Sequence, residues 1–197
     1  MNKDNIMIKS ILLLVATLLI SSPALADWTL DAGNSNLSYG TIKNDAIGES
    51  NTFKTVSGTI DENGHIKIDI ALASVDTQLE LRDERMRDIV FKVAENANAK
   101  LTGNMDMQQF ATLAVGSNRV IETSIMLELV GEKVEIDATL VVIRLAENKV
   151  MVIPHNVIFI DVDDFELAPA IETLRGLAGL DTIATVVPMS FYLTFTK

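Results

Sequence analysis

The sequence predicts an all-β protein, a barrel or sandwich of about eight antiparallel strands with two short helices set into it. Three observations lead there. Apolar residues recur at every second position over most of the chain, as in strands with one buried and one wet face. Turn signals punctuate these runs at regular spacing, which favours a barrel or sandwich. From His65 to Phe91 a one-sided strand (Ile66, Ile68, Ile70, Leu72) passes directly into a short, heavily charged helix, which argues for a curved sheet with a capped mouth.

The elements follow in order. Leu37, Tyr39 and Thr41 alternate with Asn36, Ser38 and Gly40. Phe53 to Ile60 reads as one strand, and Glu62-Asn63-Gly64 is a hairpin turn leading into the Ile66–Leu72 strand. Leu101, Gly103, Met105 and Met107 form the next apolar face, then Ile121 to Leu129. Gly131-Glu132 turns the chain into Val134–Val142, and Ala146-Glu147-Asn148 turns it again into Val150–Ile153, followed by Val157–Val162. The last strand starts at Val186, with Val187, Met189, Phe191, Leu193 and Phe195 on one face. A helix is expected over about 78–89, with Thr77 as N-cap and Glu80 completing a capping box. On its surface Asp83 with Arg87, and Arg85 with Asp88, are spaced to pair. A second helix is expected over 169–178, opened by Pro169 and ended by Gly176 and Gly179.

Residues 1–26 read as a secretory leader. Lys3 and Lys9 precede the apolar run Ile11–Ile20, which is too short to span a bilayer, and Ala24-Leu25-Ala26 offers a signal-peptidase site. The alternative is an uncleaved anchor. Residues 27–197 are then expected to form a single domain, delivered to the periplasm.

Composition excludes several classes. The chain has no cysteine, so disulfide frameworks, thiolate zinc sites and covalent c-type haem are ruled out. Its net charge of −11 repels nucleic acid and anionic lipid surfaces. No P-loop, dinucleotide glycine motif or GxSxG elbow occurs. His65 and His155 lack the spacing of metal ligands, and Asp161, Asp163 and Asp164 lack the EF-hand pattern, reading instead as a solvated turn. Arg82, Arg85 and Arg87 form either an anion clamp or a solvated helix face. Of these, Arg82 and Arg85 are the better candidates for a rim, because Arg87 has Asp83 one turn back. The many Met and Phe residues suit a plain core or an adaptable lining, and an eight-stranded barrel is just wide enough for either.

Several segments carry a family resemblance. These are Trp28-Thr29-Leu30-Asp31, then Asn34-Ser35-Asn36-Leu37-Ser38-Tyr39, then Phe53 with Gly58-Thr59-Ile60. Ser74-Val75-Asp76-Thr77 followed by Arg82-Asp83-Glu84-Arg85-Met86-Arg87 and Phe91 is the most characteristic, and Ile171–Leu180 with Val187-Pro188-Met189-Ser190-Phe191 closes the series. In this order the segments resemble the YceI family of secreted, lipocalin-like proteins. Many members carry a histidine soon after the Arg-Asp pair, where this chain has Arg85-Met86. The resemblance implies an extended eight-stranded barrel with a hydrophobic tunnel. It also implies a long-chain isoprenoid or quinone-like lipid held without covalent bonds; it does not imply an enzyme, and neither enzymatic activity nor a cofactor is expected.

Residues expected at the tunnel lining or rim are Tyr39, Phe53, Ile68, Ile70, Leu79, Arg82, Arg85, Met86, Val90, Phe91, Met105, Leu127, Phe159, Leu174 and Phe191. Two other readings stand beside lipid binding. An enzyme acting on a hydrophobic substrate would draw on Arg82, Asp83 and Tyr39. A small outer-membrane barrel would have Trp28, Tyr39 and Tyr192 as its aromatic girdle. Whether the chain forms a homodimer is open at this level.

Overall fold

The computed structural model describes residues 27–197; the leader expected over 1–26 lies outside them. The chain runs through twelve strand segments: β1 (Trp28–Leu30), β2 (Asn36–Lys43), β3 (Ile47–Phe53), β4 (Val56–Ile60), β5 (His65–Ala71), β6 (Val75–Asp76), β7 (Asn98–Asn104), β8 (Asn118–Leu129), β9 (Glu132–Ala146), β10 (Lys149–Pro154), β11 (Ile158–Asp161) and β12 (Val186–Thr196). The helices are α1 (Glu80–Arg85), α2 (Gln108–Ala111) and α3 (Ala168–Ala178).

Twelve segments make eight rungs, because four rungs are bent. β1 and β2 form one, broken by a 3-10 turn at Ala32–Asn34, and β3 continues into β4. β5 continues into β6, and β10 into β11. Every neighbouring pair is antiparallel, and β12 closes the ring by pairing with both parts of the first rung (Leu30↔Phe195, Tyr39↔Met189). The result is a closed eight-stranded up-and-down barrel with a lipocalin-like fold. Closure removes the exposed sheet edges that an open β-protein must protect.

The alternation seen in the sequence sets the faces. Ile66, Ile68 and Ile70 of β5 are buried, as are Leu140 and Val142 of β9, while Glu122, Ser124, Glu135 and Asp137 face water. At the end of the barrel away from α1, buried Trp28 is flanked by the Arg144 guanidinium at 5.4 Å and the Lys197 ammonium at 5.6 Å from its ring centre. These cation–π contacts help seal that end.

Several expected boundaries move. The 53–60 strand is two segments kinked at Lys54-Thr55, and the strand from Leu101 ends at Asn104, before Met105 and Met107. α2 was not expected; it buries Phe110 at the edge of the core. The first helix begins at Glu80 with Leu79 at the N-cap, and its last turn, Met86–Val90, is a π-helix. Gly176 lies inside α3, and Gly179 alone provides the left-handed C-cap, at φ +63°.

Gly64 is required by geometry. Its φ is +86°, and a Cβ there would lie 1.9 Å from the Met105 carbonyl oxygen. Gly64→Ala is therefore expected to cost about 1–3 kcal/mol from backbone strain alone. Chemical denaturation, with the midpoint shifted and the m-value unchanged, checks this.

Candidate functional site

The barrel interior is hollow at one end. A cavity of about 260 Å³ opens between α1, α3 and the β2–β3 hairpin, and a second lobe of about 80 Å³ lies deeper in the barrel. Leu37, Ile70, Leu127, Ile160 and Met189 line both lobes, so these five side chains form the neck between them. The deeper lobe is walled entirely by Ile, Leu, Val, Met, Phe and Ala.

Most residues expected at the tunnel come together here. Tyr39, Phe53, Ile70, Leu79, Arg82, Arg85, Met86, Val90, Phe91, Leu127 and Leu174 line the outer lobe. Ile68, Ile70, Met105, Leu127 and Phe191 line the inner one. Phe159 is a correction: it is 63 % exposed. The apolar run Val157–Val162 gave no sign of its facing, but β11 register pairs Phe159 with Pro188 on the outer surface and turns Ile158 and Ile160 inward.

The wall built by β2 and β3 is graded by polarity. Its inward side chains are Leu37, Tyr39, Thr41 and Lys43 from β2, with Glu49, Asn51 and Phe53 from β3. Deepest are the aromatics: the Tyr39 and Phe53 ring centres are 5.6 Å apart, and those of Phe53 and Phe91 are 5.7 Å apart. Next comes an amide–hydroxyl layer, with Asn51 Nδ2 donating to Thr41 Oγ1 at 2.8 Å. At the mouth, Glu49 Oε2 accepts from both Lys43 Nζ and Arg82 Nη1, each at 2.5 Å. Sequence reasoning did not select Glu49, Asn51, Thr41 or Lys43. Continuing the β2 alternation through the Asn44-Asp45-Ala46 turn into a partner strand would have found them.

The hairpin that carries this wall is held in place. Asn44 and Asp45 take positive φ (+48° and +56°), which Asn and Asp tolerate better than most residues. Asn44 Oδ1 accepts from the Asp181 and Thr182 backbone N–H groups at 2.9 and 3.3 Å, tying the hairpin to the segment after α3.

The charged helix is organised differently from its expected pairs. Asp83 is buried, and its Oδ1 accepts from the Thr77 N–H at 2.7 Å and the Thr77 hydroxyl at 2.5 Å. Thr77 is thus no N-cap. Gln78, at φ +64°, reverses the chain before the helix starts, so the helix reaches back to Thr77 through Asp83. With Asp83 inside, Arg87 pairs instead with Glu80 at 2.8 Å, and no ion pair joins Arg85 to Asp88 among the described residues. Arg82 bridges the mouth, with Nη1 on Glu49 and Nη2 on the Thr77 carbonyl.

Two groups at this site titrate away from their ordinary values. Burial pushes the Tyr39 hydroxyl far up, only partly opposed by Arg82, so it stays protonated at any physiological pH. Burial also works against ionisation of Glu49, but the Lys43 hydrogen bond and the Arg82 charge outweigh it and hold Glu49 below its usual 4.5. A depressed carboxylate stabilises the fold above its unfolded pKa, and that contribution is lost as pH falls through the folded value. The mouth cluster is thus expected to hold at neutral pH and to loosen only below about pH 4.5. Thermal midpoints of wild type and Glu49→Gln, measured from pH 7 to pH 3, should converge at the acid end.

The two histidines lie at the surface, with His65 Nδ1 2.7 Å from Asp61 Oδ2 and His155 in a loop. Asp161 accepts from the Asp163 N–H in a local turn. No three His, Asp or Glu residues are grouped to hold a metal among the described residues.

A closed β-barrel with an apolar, two-lobed cavity and a polar mouth defines a lipocalin-like barrel with room for a small ligand. The YceI-like domain model matches residues 28–195, and the chain belongs to the YceI family. Among solved structures, it is similar to a polyisoprenoid-binding domain from Saccharophagus degradans implicated in plant cell wall breakdown. Identity is 36 % with a TM-score of 0.85, covering 86 % of this chain and 97 % of that one. Burkholderia cenocepacia BcnA shares the fold at 14 % identity and a TM-score of 0.65, over 84 % of this chain and 98 % of its own. The Campylobacter jejuni YceI protein shares it at 18 % identity and a TM-score of 0.50, over 71 % and 82 %. None of the curated proteins is a match.

Proposed function

We propose that this protein binds a long-chain isoprenoid lipid, polyprenyl or quinone-like, inside the barrel, and that it does so in the periplasm as a carrier or sequestering protein. The observation that carries this reading is the pair of adjoining apolar lobes inside the barrel, which share five wall residues and have polar lining only in the outer one. A linear greasy tail fits two lobes joined by a neck, and its burial contributes about 25 cal/mol per Å² of apolar surface. The relative from Saccharophagus degradans, described as polyisoprenoid-binding, supports the same class of ligand. The periplasmic address rests on the leader sequence alone.

The catalytic alternative has less support. Of its candidates, Asp83 is spent on Thr77, Arg82 is held by Glu49 and the Thr77 carbonyl, and Tyr39 is held protonated. An outer-membrane barrel is disfavoured because the outer wall carries exposed Glu122, Glu135 and Asp137 where lipid-facing strands need apolar residues.

The test is organic extraction of the purified protein followed by mass spectrometry, with fractionation of the cells to locate it. A co-purified isoprenoid, or saturable uptake of prenyl quinones in vitro, is expected. Neither a bound lipid nor any uptake would sink the reading, and recovery in carbonate-washed membranes would overturn the soluble periplasmic assignment.

A further inference from the structure

Among the described residues, four of the eight large apolar side chains that are at least half exposed stand around the cavity mouth. They are Ile47, Leu79, Leu81 and Leu177, each 52–56 % exposed. Three separate elements supply them. Ile47 opens β3 opposite Lys43, Leu79 and Leu81 begin α1, and Leu177 stands on α3 between Leu174 and Ala178, which line the cavity. Single exposed apolar residues are ordinary on a surface, but four that converge on one opening form a patch with a position. Leu79 and Leu81 also line the outer lobe, so the apolar wall runs out through the mouth onto the surface. Local stability does not account for Leu79: it is the N-cap of α1 and makes no side-chain cap bond, and leucine is among the weakest residues there. The collar is also braced. The Ala184 N–H donates to the Ile42 carbonyl at 2.9 Å, and the Thr182 hydroxyl donates to Asp45 Oδ1 at 2.8 Å, which ties the hairpin to the segment after α3.

We infer that this collar docks the mouth on the surface of a zwitterionic phospholipid bilayer, so that the ligand passes between membrane and barrel without crossing water. The inference rests on the lipid-binding reading above. The continuity of collar and cavity wall identifies the occupant. A prenyl chain released into water would expose the apolar surface whose burial drives its binding. A collar seated in the headgroup layer removes that step, because the chain then slides from one apolar surface to the next. Leucine and isoleucine beside arginine and lysine suit such a seat, with the apolar side chains inserted and the cations at the level of the phosphates.

Charge sets the orientation. Lys43, Arg82 and Arg85 line the outer lobe against the single carboxylate of Glu49, so the mouth is positive on a chain whose net charge is −11. On the rim, Arg87 and Arg175 neutralise Glu80 and Glu172. Glu84 and Asp88 of the first helix line no part of the cavity. The mouth can thus face lipid phosphates while the acidic body is turned away from them. The same charges disfavour a second copy of the chain as the occupant, since a two-fold contact at the collar would set one positive mouth against another.

Two assays on the purified protein test this. Flotation with phosphatidylcholine vesicles measures docking with no ligand present. Transfer of NBD-labelled geranylgeraniol from loaded protein to vesicles that carry a quencher measures delivery. Wild type is expected to float, and its transfer rate to rise in proportion to vesicle concentration. The double variant Ile47→Ser/Leu177→Ser alters residues that line neither lobe. It should keep its affinity for the probe within about twofold, lose flotation, and transfer the probe about tenfold more slowly or worse. Val120→Ser, an equally exposed change on the outer wall, should match wild type. A transfer rate independent of vesicle concentration, or a double variant as fast as wild type, would overturn the docking assignment while lipid binding stands. A dimer detected by light scattering and lost in the double variant would overturn it in favour of a second copy. If the probe does not bind at all, the lipid reading falls, and flotation of wild type but not of the double variant would still establish the docking surface by itself.

Discussion

Leu127→Phe is expected to lower affinity for a long prenyl chain by about a hundredfold while leaving a two-isoprene ligand within about threefold. Leu127 is buried on β8 and belongs to the neck that both lobes share. A phenyl ring there meets Leu37, Ile70, Ile160 and Met189, the other walls of the neck, and blocks passage from the outer to the inner lobe. A long tail then loses burial of about four carbons. At about 0.8 kcal/mol per buried CH₂ this is about 3 kcal/mol, or roughly a hundredfold in affinity. A short tail stays within the outer lobe and loses little. Overpacking should also cost about 1–3 kcal/mol of stability, so the thermal midpoint will fall. The informative quantity is therefore the ratio of long- to short-chain affinity in one folded variant, set against Met189→Phe, which narrows the neck from β12. A loss that is equal for both chain lengths would show that the two lobes do not act as one tunnel.

The legible parts of this protein are those where side-chain period and burial agree. β5, β8 and β9 alternate cleanly, and each faces the core as its pattern requires; β12 does so except at Thr194, which is buried with its hydroxyl donating to the Asn34 carbonyl. The first half of the second rung was not legible, and the reason is physical. The inward positions of β3 are Glu49, Asn51 and Phe53, so its N-terminal half carries no apolar stripe. The polarity that hid the strand is what makes it part of the site. The same logic explains Asp83. Spacing alone assigned it to Arg87 on a solvated face, because nothing in a single helix reveals that the preceding chain doubles back through a positive φ at Gln78 to meet it. Phe159 failed in the opposite sense. Val157 to Val162 is apolar at most positions, so its period could not say which residues face inward, and the β12 register decides it.

Asp83→Ala should be the most destabilising single substitution in the lid formed by α1 and its last turn (residues 80–90), costing about 2–4 kcal/mol. It strips two buried donors, the Thr77 N–H and hydroxyl, of the acceptor they share, and each unsatisfied donor costs roughly 1–3 kcal/mol. For a domain of this size that corresponds to a fall of roughly 5–15 °C in the thermal midpoint. The damage should extend beyond Thr77. The Thr77 carbonyl receives Arg82, and Arg82 in turn holds Glu49, so freeing Thr77 loosens the whole mouth. Hydrogen exchange is expected to accelerate across residues 80–90 and on the β2–β3 hairpin, while the strands around Trp28 keep their protection. Asp83→Asn makes the test sharper. Both Thr77 bonds fall on Oδ1, which the amide oxygen replaces, so this variant should cost no more than about 1 kcal/mol, the loss of charge assistance. If Asn behaves like Ala, the charge matters in its own right, and a proton-transfer or ionic role for Asp83 would have to be reconsidered. If Asn behaves like Asp, the carboxylate acts as an acceptor that folds the lid over the cavity. The charge in this helix would then serve the shape of the mouth rather than chemistry within it.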